Sequence, residues 1–132
     1  MLRSKMAKEA IVRMNNRIGV LAQVTRSIAD KGINIDAIIA TVEGADAIIR
    51  LVTGDHQRTI DTLHDQQLEV LEAKVVLVQA AHRPGLLRYI TEKLAKENID
   101  LFYLYATAVD ADNCLVVLSS TNNDWAAMIL NC

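Results

Sequence analysis

Arg17-Ile18-Gly19-Val20-Leu21 returns about 66 residues later as Arg83-Pro84-Gly85-Leu86-Leu87. The match continues without a gap. Thr25 falls on Thr91, Ala29 on Ala95, Ile33 on Ile99, Ala40-Thr41 on Ala106-Thr107 and Asp46 on Asp112, with Val12 on Val78 upstream. Val24 and Ile90, Ile28 and Leu94, Ile35 and Leu101, and Ile38 and Leu104 exchange one apolar residue for another. A chain that repeats itself around a conserved-in-place glycine turn predicts two copies of one small fold, and two copies of whatever the turn does.

Working outward from the first turn, Ala10 to Met14 is a short apolar run read as a strand, and Asn15-Asn16-Arg17 supply turn residues. Val20, Leu21, Val24 and Ile28 then recur at helical spacing. Gly32 and its counterpart Asn98 stand where a helix ends in a left-handed residue, a conformation these two residue types tolerate best. Ile33 to Val42 and Ala47 to Thr53 read as a hairpin closed by Glu43-Gly44-Ala45-Asp46. Asp55 caps a second helix buried through Ile60, Leu63 and Leu68, and Glu69 to Ala73 forms a fourth strand. The order is β-α-β-β-α-β.

The second copy repeats it. Lys74 to Ala81 is a strand, Gly85 to Glu97 a helix, Ile99 to Val109 and Cys114 to Ser120 a hairpin around Asp110 to Asn113. A last helix runs through Trp125, Met128 and Ile129, capped at Asn123-Asp124. No fourth strand follows. Either the chain is truncated, or the strand is supplied from elsewhere; a vacant position beside a sheet edge leaves N–H and C=O groups that another chain can pair with. The expected fold class is α+β, two tandem ferredoxin-like units, Lys8 to Ala73 and Lys74 to Cys132, the second lacking its final strand.

Composition narrows the function. The chain has 132 residues, of which 52% are hydrophobic, and a formal net charge of −2. A packed core is expected, and each half is of the size at which a lone core is marginal. No basic stripe is present, so nucleic-acid binding through phosphate neutralisation is not expected. No apolar run reaches the roughly 20 residues of a membrane span. Met1 to Lys8 holds three basic residues without an apolar stretch behind them, so it does not read as a secretory signal. Cys114, in an expected strand, reads as a buried thiol, and Cys132 as a frayed, oxidisable end; together they fit a reducing cytoplasm. No GxSxG, HExxH or P-loop run occurs, so no catalytic residue and no cofactor is expected. Asp61, His64 and Asp65 share a helix at i, i+3 spacing, which a solvated face explains more simply than a metal site.

Asn16-Arg17-Ile18-Gly19-Val20-Leu21 and His82-Arg83-Pro84-Gly85-Leu86-Leu87, each followed by a helix and then by Gly32-Ile33-Asn34-Ile35 or Asn98-Ile99-Asp100-Leu101, resemble the opening of ACT domains. The resemblance runs from about Lys8 to Asn131 and rests on the order of elements occurring twice at one spacing. It implies a regulatory module that binds an amino acid or other small ligand between paired domains and adjusts an attached or associated protein. Ile18 departs from the pattern, standing where the second copy has Pro84.

The candidate sites follow from the chemistry of the turns. A helix begun by glycine leaves its first N–H groups without intrahelical partners at the positive end of the dipole, where a carboxylate is well placed. In the first copy this marks Asn15, Asn16, Arg17, Ile18, Gly19, Val20 and Leu21. The asparagines can orient a head group. In the second it marks His82, Arg83, Pro84, Gly85, Leu86 and Leu87, with Pro84 presetting φ at the start of the helix. Asn34 and Ile35, and Asp100 and Leu101, begin the strands that the resemblance puts opposite a glycine turn of a paired domain. Each feature also has a purely structural reading: Asn16 as a cap, the arginines and His82 as solvated groups, Asn34 and Asp100 as polar strand ends. Phe102 to Tyr105 reads as a two-sided, largely buried strand serving core and interface.

Two functions remain. One is a regulatory protein that binds a small molecule, an amino acid first, through paired units in a homo-oligomer, a dimer favoured, with an enzyme or regulator as the partner that reads it. The other is a ligand-free interaction module or regulatory subunit that uses its sheet edges and the aromatic strand.

Overall fold

The computed structural model describes residues 2–131. Cys132, read from the sequence as an oxidisable end, lies outside the described residues. The elements are β1 (Arg3–Asn15), α1 (Val20–Asp30), β2 (Ile35–Glu43), β3 (Asp46–Thr53), α2 (His56–Asp65), β4 (Glu69–Ala81), α3 (Leu86–Lys96), β5 (Leu101–Ala108), β6 (Asn113–Ser120) and α4 (Asn123–Leu130). The chain divides into two compact units. One is Lys8–Ala73; the other joins the described residues up to Ala7 to those from Lys74 on.

Within the Lys8–Ala73 unit the strand order is β2-β3-β1-β4, and within the other it is β5-β6-β4-β1. Both are the ferredoxin-like order, and the α+β expectation holds. The strand that the second copy lacks downstream comes from upstream. Arg3–Ala7, the basic lead before the expected first strand, is the fourth strand of the unit that contains α3 and α4. Leu2 is buried in the core of that unit, and Ser4 hydrogen-bonds through its hydroxyl to the Ala127 carbonyl. The position expected to invite another chain is therefore occupied. The first strand accordingly runs from Arg3 rather than from Ala10, and Glu69–Ala81 is one strand rather than two joined end to end.

Strand pairing sets which side chains meet the helices. In the Lys8–Ala73 unit Ala10 stands opposite Leu51 and Val12 opposite Ile49, and Leu51 and Ile49 stand opposite Ile38 and Ala40. Ala10, Val12, Ile49 and Leu51 pack with Val24, Ile28, Ile60 and Leu63 from α1 and α2. In the other unit Val76, Val78, Ala80, Cys114, Val116 and Leu118 pack with Ile90, Leu94, Ala126 and Leu130 from α3 and α4. Each fully buried Leu or Ile contributes roughly 1.5–3 kcal/mol of apolar burial. Cys114 is buried, as read from the sequence.

Local chemistry explains the element ends. Gly32 and Asn98 take φ of 69° and 58°, the left-handed ends their residue types predicted. The Asp55 side chain accepts the Arg58 N–H at 3.2 Å and caps α2. The cap of α4 is Asn122, whose side chain accepts the Trp125 N–H, rather than Asn123. Asn123 instead accepts from the Ser120 N–H and hydroxyl and donates to the Lys74 carbonyl. The same one-residue phase shift buries Ala126 and Leu130 and leaves Trp125 and Met128 exposed. The aromatic strand also differs from expectation. Phe102 is exposed, Tyr103, Leu104 and Tyr105 are only half-buried, and the pairing slips at a bulge between Leu101 and Tyr103.

Candidate functional site

Both glycine turns are built alike. The Val20 N–H reaches the Arg17 carbonyl, and the Leu86 N–H the Arg83 carbonyl, each at 3.3 Å. Gly19 sits at φ 94°, ψ 0° and Gly85 at φ 89°, ψ −4°, the values a type II turn asks of its third residue. Neither helix start has a side-chain cap, so the capping alternative for Asn16 does not apply. The Asn16 N–H instead donates to the Ala45 carbonyl, and the His82 N–H to the Asp112 carbonyl, which fixes each turn beside the tip of its unit's β-hairpin. A Cβ built on either glycine meets nothing within 4 Å. Backbone conformation, not crowding, demands glycine, and the space over the turn is open.

The turns differ in what surrounds them. Arg17 donates to the Gln23 carboxamide oxygen at 2.9 Å. In the repeat register the residue that replaces Gln23 is Tyr89, whose hydroxyl receives the Lys93 ammonium at 3.1 Å, with that ammonium 5.2 Å from the ring centre. Arg83 has no side-chain partner among the described residues. Ile18 is fully exposed, whereas Pro84 lines a cavity.

Two cavities flank the second turn. The first, about 260 Å³, is walled by Leu2, Ala80, Pro84, Leu86 and Tyr89, with Arg83 as its charged group. The second, about 370 Å³, lies on the side of His82, Leu87, Ala106, Thr107 and Cys114. Arg83, Gly85 and Leu86 border both. The N–H groups of Leu87 and Arg88 meet no acceptor among the described residues. A permanently charged guanidinium, helix amides without an acceptor and apolar walls together suit a small molecule with one carboxylate and an apolar or mixed side chain.

Of the residues read from the sequence, His82, Arg83, Pro84, Gly85, Leu86 and Leu87 lie together around these cavities. Asn15, Asn16, Arg17, Ile18, Gly19, Val20 and Leu21 lie together at the matching turn. Val20 is buried in its own unit, and Asn15 is the last residue of β1. Asn34, Ile35, Asp100 and Leu101 are elsewhere. The Asn34 carbonyl accepts the Gly54 N–H and the Asp100 carbonyl accepts the Thr121 N–H, at the ends of β2 and β5 remote from the hairpin tips. β2 is nine residues long, roughly 30 Å at ~3.3 Å per residue, so Asn34 does not meet Gly19 within its unit. Both polar groups are locally engaged: the Asn34 amide with Asp36 at 2.9 Å and the Asp100 carboxylate with the Leu101 N–H at 2.9 Å. Among the described residues no cluster of His, Cys, Asp and Glu is arranged for a metal; His56 pairs with Glu72 at 2.8 Å. Among the described residues no helix is long and apolar enough to cross a membrane.

The sequence reading missed Leu2 and Tyr89. A signal existed for Leu2: continued upstream, the repeat sets it on Leu68 and sets Ala7-Lys8 on Ala73-Lys74. Tyr89 lies one helical turn beyond Gly85, and the i, i+4 spacing on the expected helix was its signal.

No curated protein sequence matches the chain. A protein of known structure from Bacteroides thetaiotaomicron is 25% identical, with 96% of this chain and 88% of that one covered and a TM-score of 0.89. The ligand-free regulatory subunit of aspartate kinase from Thermus thermophilus is 14% identical over 98% of this chain and 93% of its own, at a TM-score of 0.69. The structure of aspartokinase alpha and beta subunits is 21% identical over 97% and 94%, at 0.64. These likenesses extend over almost the whole chain and establish its fold in both units. The family model that matches is the ACT domain, at residues 9–66, and the chain therefore carries an ACT domain within its Lys8–Ala73 unit.

Proposed function

We propose that this protein is a cytoplasmic regulatory protein that binds a free amino acid beside Gly85 and passes the event on through pairing with a second copy. The observation that carries this reading is the pair of cavities sharing Arg83, Gly85 and Leu86. The ligand carboxylate meets the Arg83 guanidinium and the Leu87 and Arg88 amides, where charge-assisted hydrogen bonds are strongest. Its side chain enters the apolar cavity walled by Leu2 and Tyr89. Asn34 and Ile35, or Asp100 and Leu101, contribute only if another unit brings them opposite a glycine turn, and a second copy of the chain can supply one. ACT domains are regulatory modules, and the name of the Thermus neighbour, a regulatory subunit, agrees at the level of fold. A change of pairing on binding, worth about 1–3 kcal/mol, is enough for an enzyme or regulator to read.

Thermal melting in the presence of each common amino acid tests the proposal. One ligand or a few related ones should stabilise the protein, by about 2.7 kcal/mol at a concentration 100 times Kd. A cooperative melt unmoved by every amino acid would overturn it. That result would favour the ligand-free interaction module, for which the exposed Phe102 on β5 offers an anchor.

A further inference from the structure

The first cavity beside Gly85 is closed on one side by a residue that lies more than 80 positions away in the chain. Leu2 is 5% exposed, belongs to the core of this unit, and lines the cavity with Ala80, Ala81, Arg83, Pro84 and Tyr89. The side chains of the strand behind it are mostly turned to solvent. Arg3, Lys5 and Met6 are exposed and Ala7 is half-buried. Besides its hydrogen-bonded pairing with β4, the segment is held through Ser4, by its hydroxyl to the Ala127 carbonyl and its N–H to the Asn131 side chain at 3.5 Å. Exposed edge segments with few apolar contacts belong to the low-stability part of a structure.

We propose that docking of this strand and occupancy of the cavity are coupled through Leu2, so that the ligand holds the strand down and the docked strand shapes the ligand site. The inference rests on the amino-acid reading given above. Its physical basis is differential contact: a ligand in the cavity touches Leu2 only when the strand is docked, so it favours the docked state by the value of that contact. The linkage is reciprocal, and undocking must weaken binding by the same factor. The strand is then a strap that senses the ligand, and its exposed basic face is available to report the change.

The full chain serves for the test, with each common amino acid as the probe, amide exchange at Arg3–Ala7 followed by NMR and affinity by calorimetry. The expected result is that a binding amino acid slows exchange at Arg3–Ala7. Leu2→Ala should then weaken binding about tenfold, within the usual range of coupling between sites. Ser4→Ala does not touch the cavity and only loosens the strand; it should speed exchange at Arg3–Ala7 about threefold in the free protein, a typical loss for one hydrogen bond, and a binding amino acid should slow that exchange again. Ser4→Ala thus separates coupling from a passive wall, and it stands in if Leu2→Ala does not fold. Ile18→Ala, at the exposed turn of the other unit, should bind normally. Binding that leaves exchange at Arg3–Ala7 unchanged, in the unaltered chain or in Ser4→Ala, overturns the coupling while the ligand reading stands. Absence of binding by any amino acid overturns both.

Discussion

The turns at Gly19 and Gly85 share backbone angles to within a few degrees, the same 3.3 Å closing hydrogen bond and the same lack of a side-chain cap. Their surroundings are opposite. At the first, Arg17 is tethered to Gln23 and Ile18 projects into solvent. At the second, Tyr89 replaces the carboxamide, Arg83 has no side-chain partner among the described residues, and Pro84 joins a cavity wall. Duplication preserved the scaffold, whose geometry depends on φ at one glycine, and left the chemistry to side chains three or four residues away. Equal backbone is therefore no argument for equal function.

The comparison breaks most sharply on removal of the residues up to Ala7. The Lys8–Ala73 unit keeps its four strands, whereas the Gly85 unit loses its fourth strand and Leu2. Loss of the buried Leu2 side chain alone costs about 2–5 kcal/mol. Chemical denaturation should show that loss, amide exchange should place it around Gly85 rather than Gly19, and a peptide of residues 1–8 added in trans should restore part of it by strand addition. Equal loss of protection at both turns would mean that the units are not separate in stability.

Next in size are Gly19→Val and Gly85→Val. Each forces a β-branched residue to positive φ, at about 1–3 kcal/mol, although neither lacks space. The two should destabilise alike in urea, and only Gly85→Val should abolish the thermal response to an amino acid. A smaller effect sharpens the comparison. Gln23→Leu releases Arg17 at a stability change of about 0.5 kcal/mol or less, since the pair is exposed. Gain of amino-acid binding at the first turn would show that the tether alone silences it; no gain would assign the difference to the cavity walls.

The smallest effect concerns the hairpin tips against which the turns rest. Gly44, at φ 61°, closes β2 to β3, and Asp110 stands in its place between β5 and β6. The Asp110 carboxylate accepts from the Asn113 side-chain amide at 3.0 Å and from the Asp112 and Asn113 N–H groups, each at 2.8 Å. The Asn113 side chain first, and the Asp112 amide next, hold its pKa below the ordinary carboxylate value. A depressed native pKa stabilises above the unfolded value, and that contribution disappears as pH falls through the native one. NMR of the Asp112 and Asn113 amides should show the second tip loosening in acid while Gly44 and Ala45 stay unchanged. Asp110→Asn should remove the difference.

The sequence carried the parts of this molecule that depend on local chemistry. The repeat, the left-handed ends at Gly32 and Asn98, the Asp55 cap and the glycine turns follow from single residues or short periods. The first strand was legible only from Ala10 to Met14, because Arg3, Lys5 and Lys8 mark an exposed edge segment, which lacks the apolar alternation of a half-buried strand. The burial assigned to Phe102 failed at a bulge, which resets the face a side chain occupies without any mark in composition. The turn residues at His82 to Leu87 were legible as candidates; the cavity beside them was not, because Leu2 reaches it through tertiary placement, whereas Tyr89 stands one helical turn from Gly85.

The displaced fourth strand sets an order for biosynthesis. Residues 2–7 leave the ribosome before the unit they complete exists, and they must wait until β4 to α4 has been made, whereas Lys8–Ala73 can close as soon as it emerges. A waiting strand rich in apolar residues would be a hazard for aggregation. Residues 2–7 hold only Leu2 and Met6 as large apolar residues, with Arg3 and Lys5 among them and Lys8 next in the chain, and that charge opposes association until the strand's place is ready.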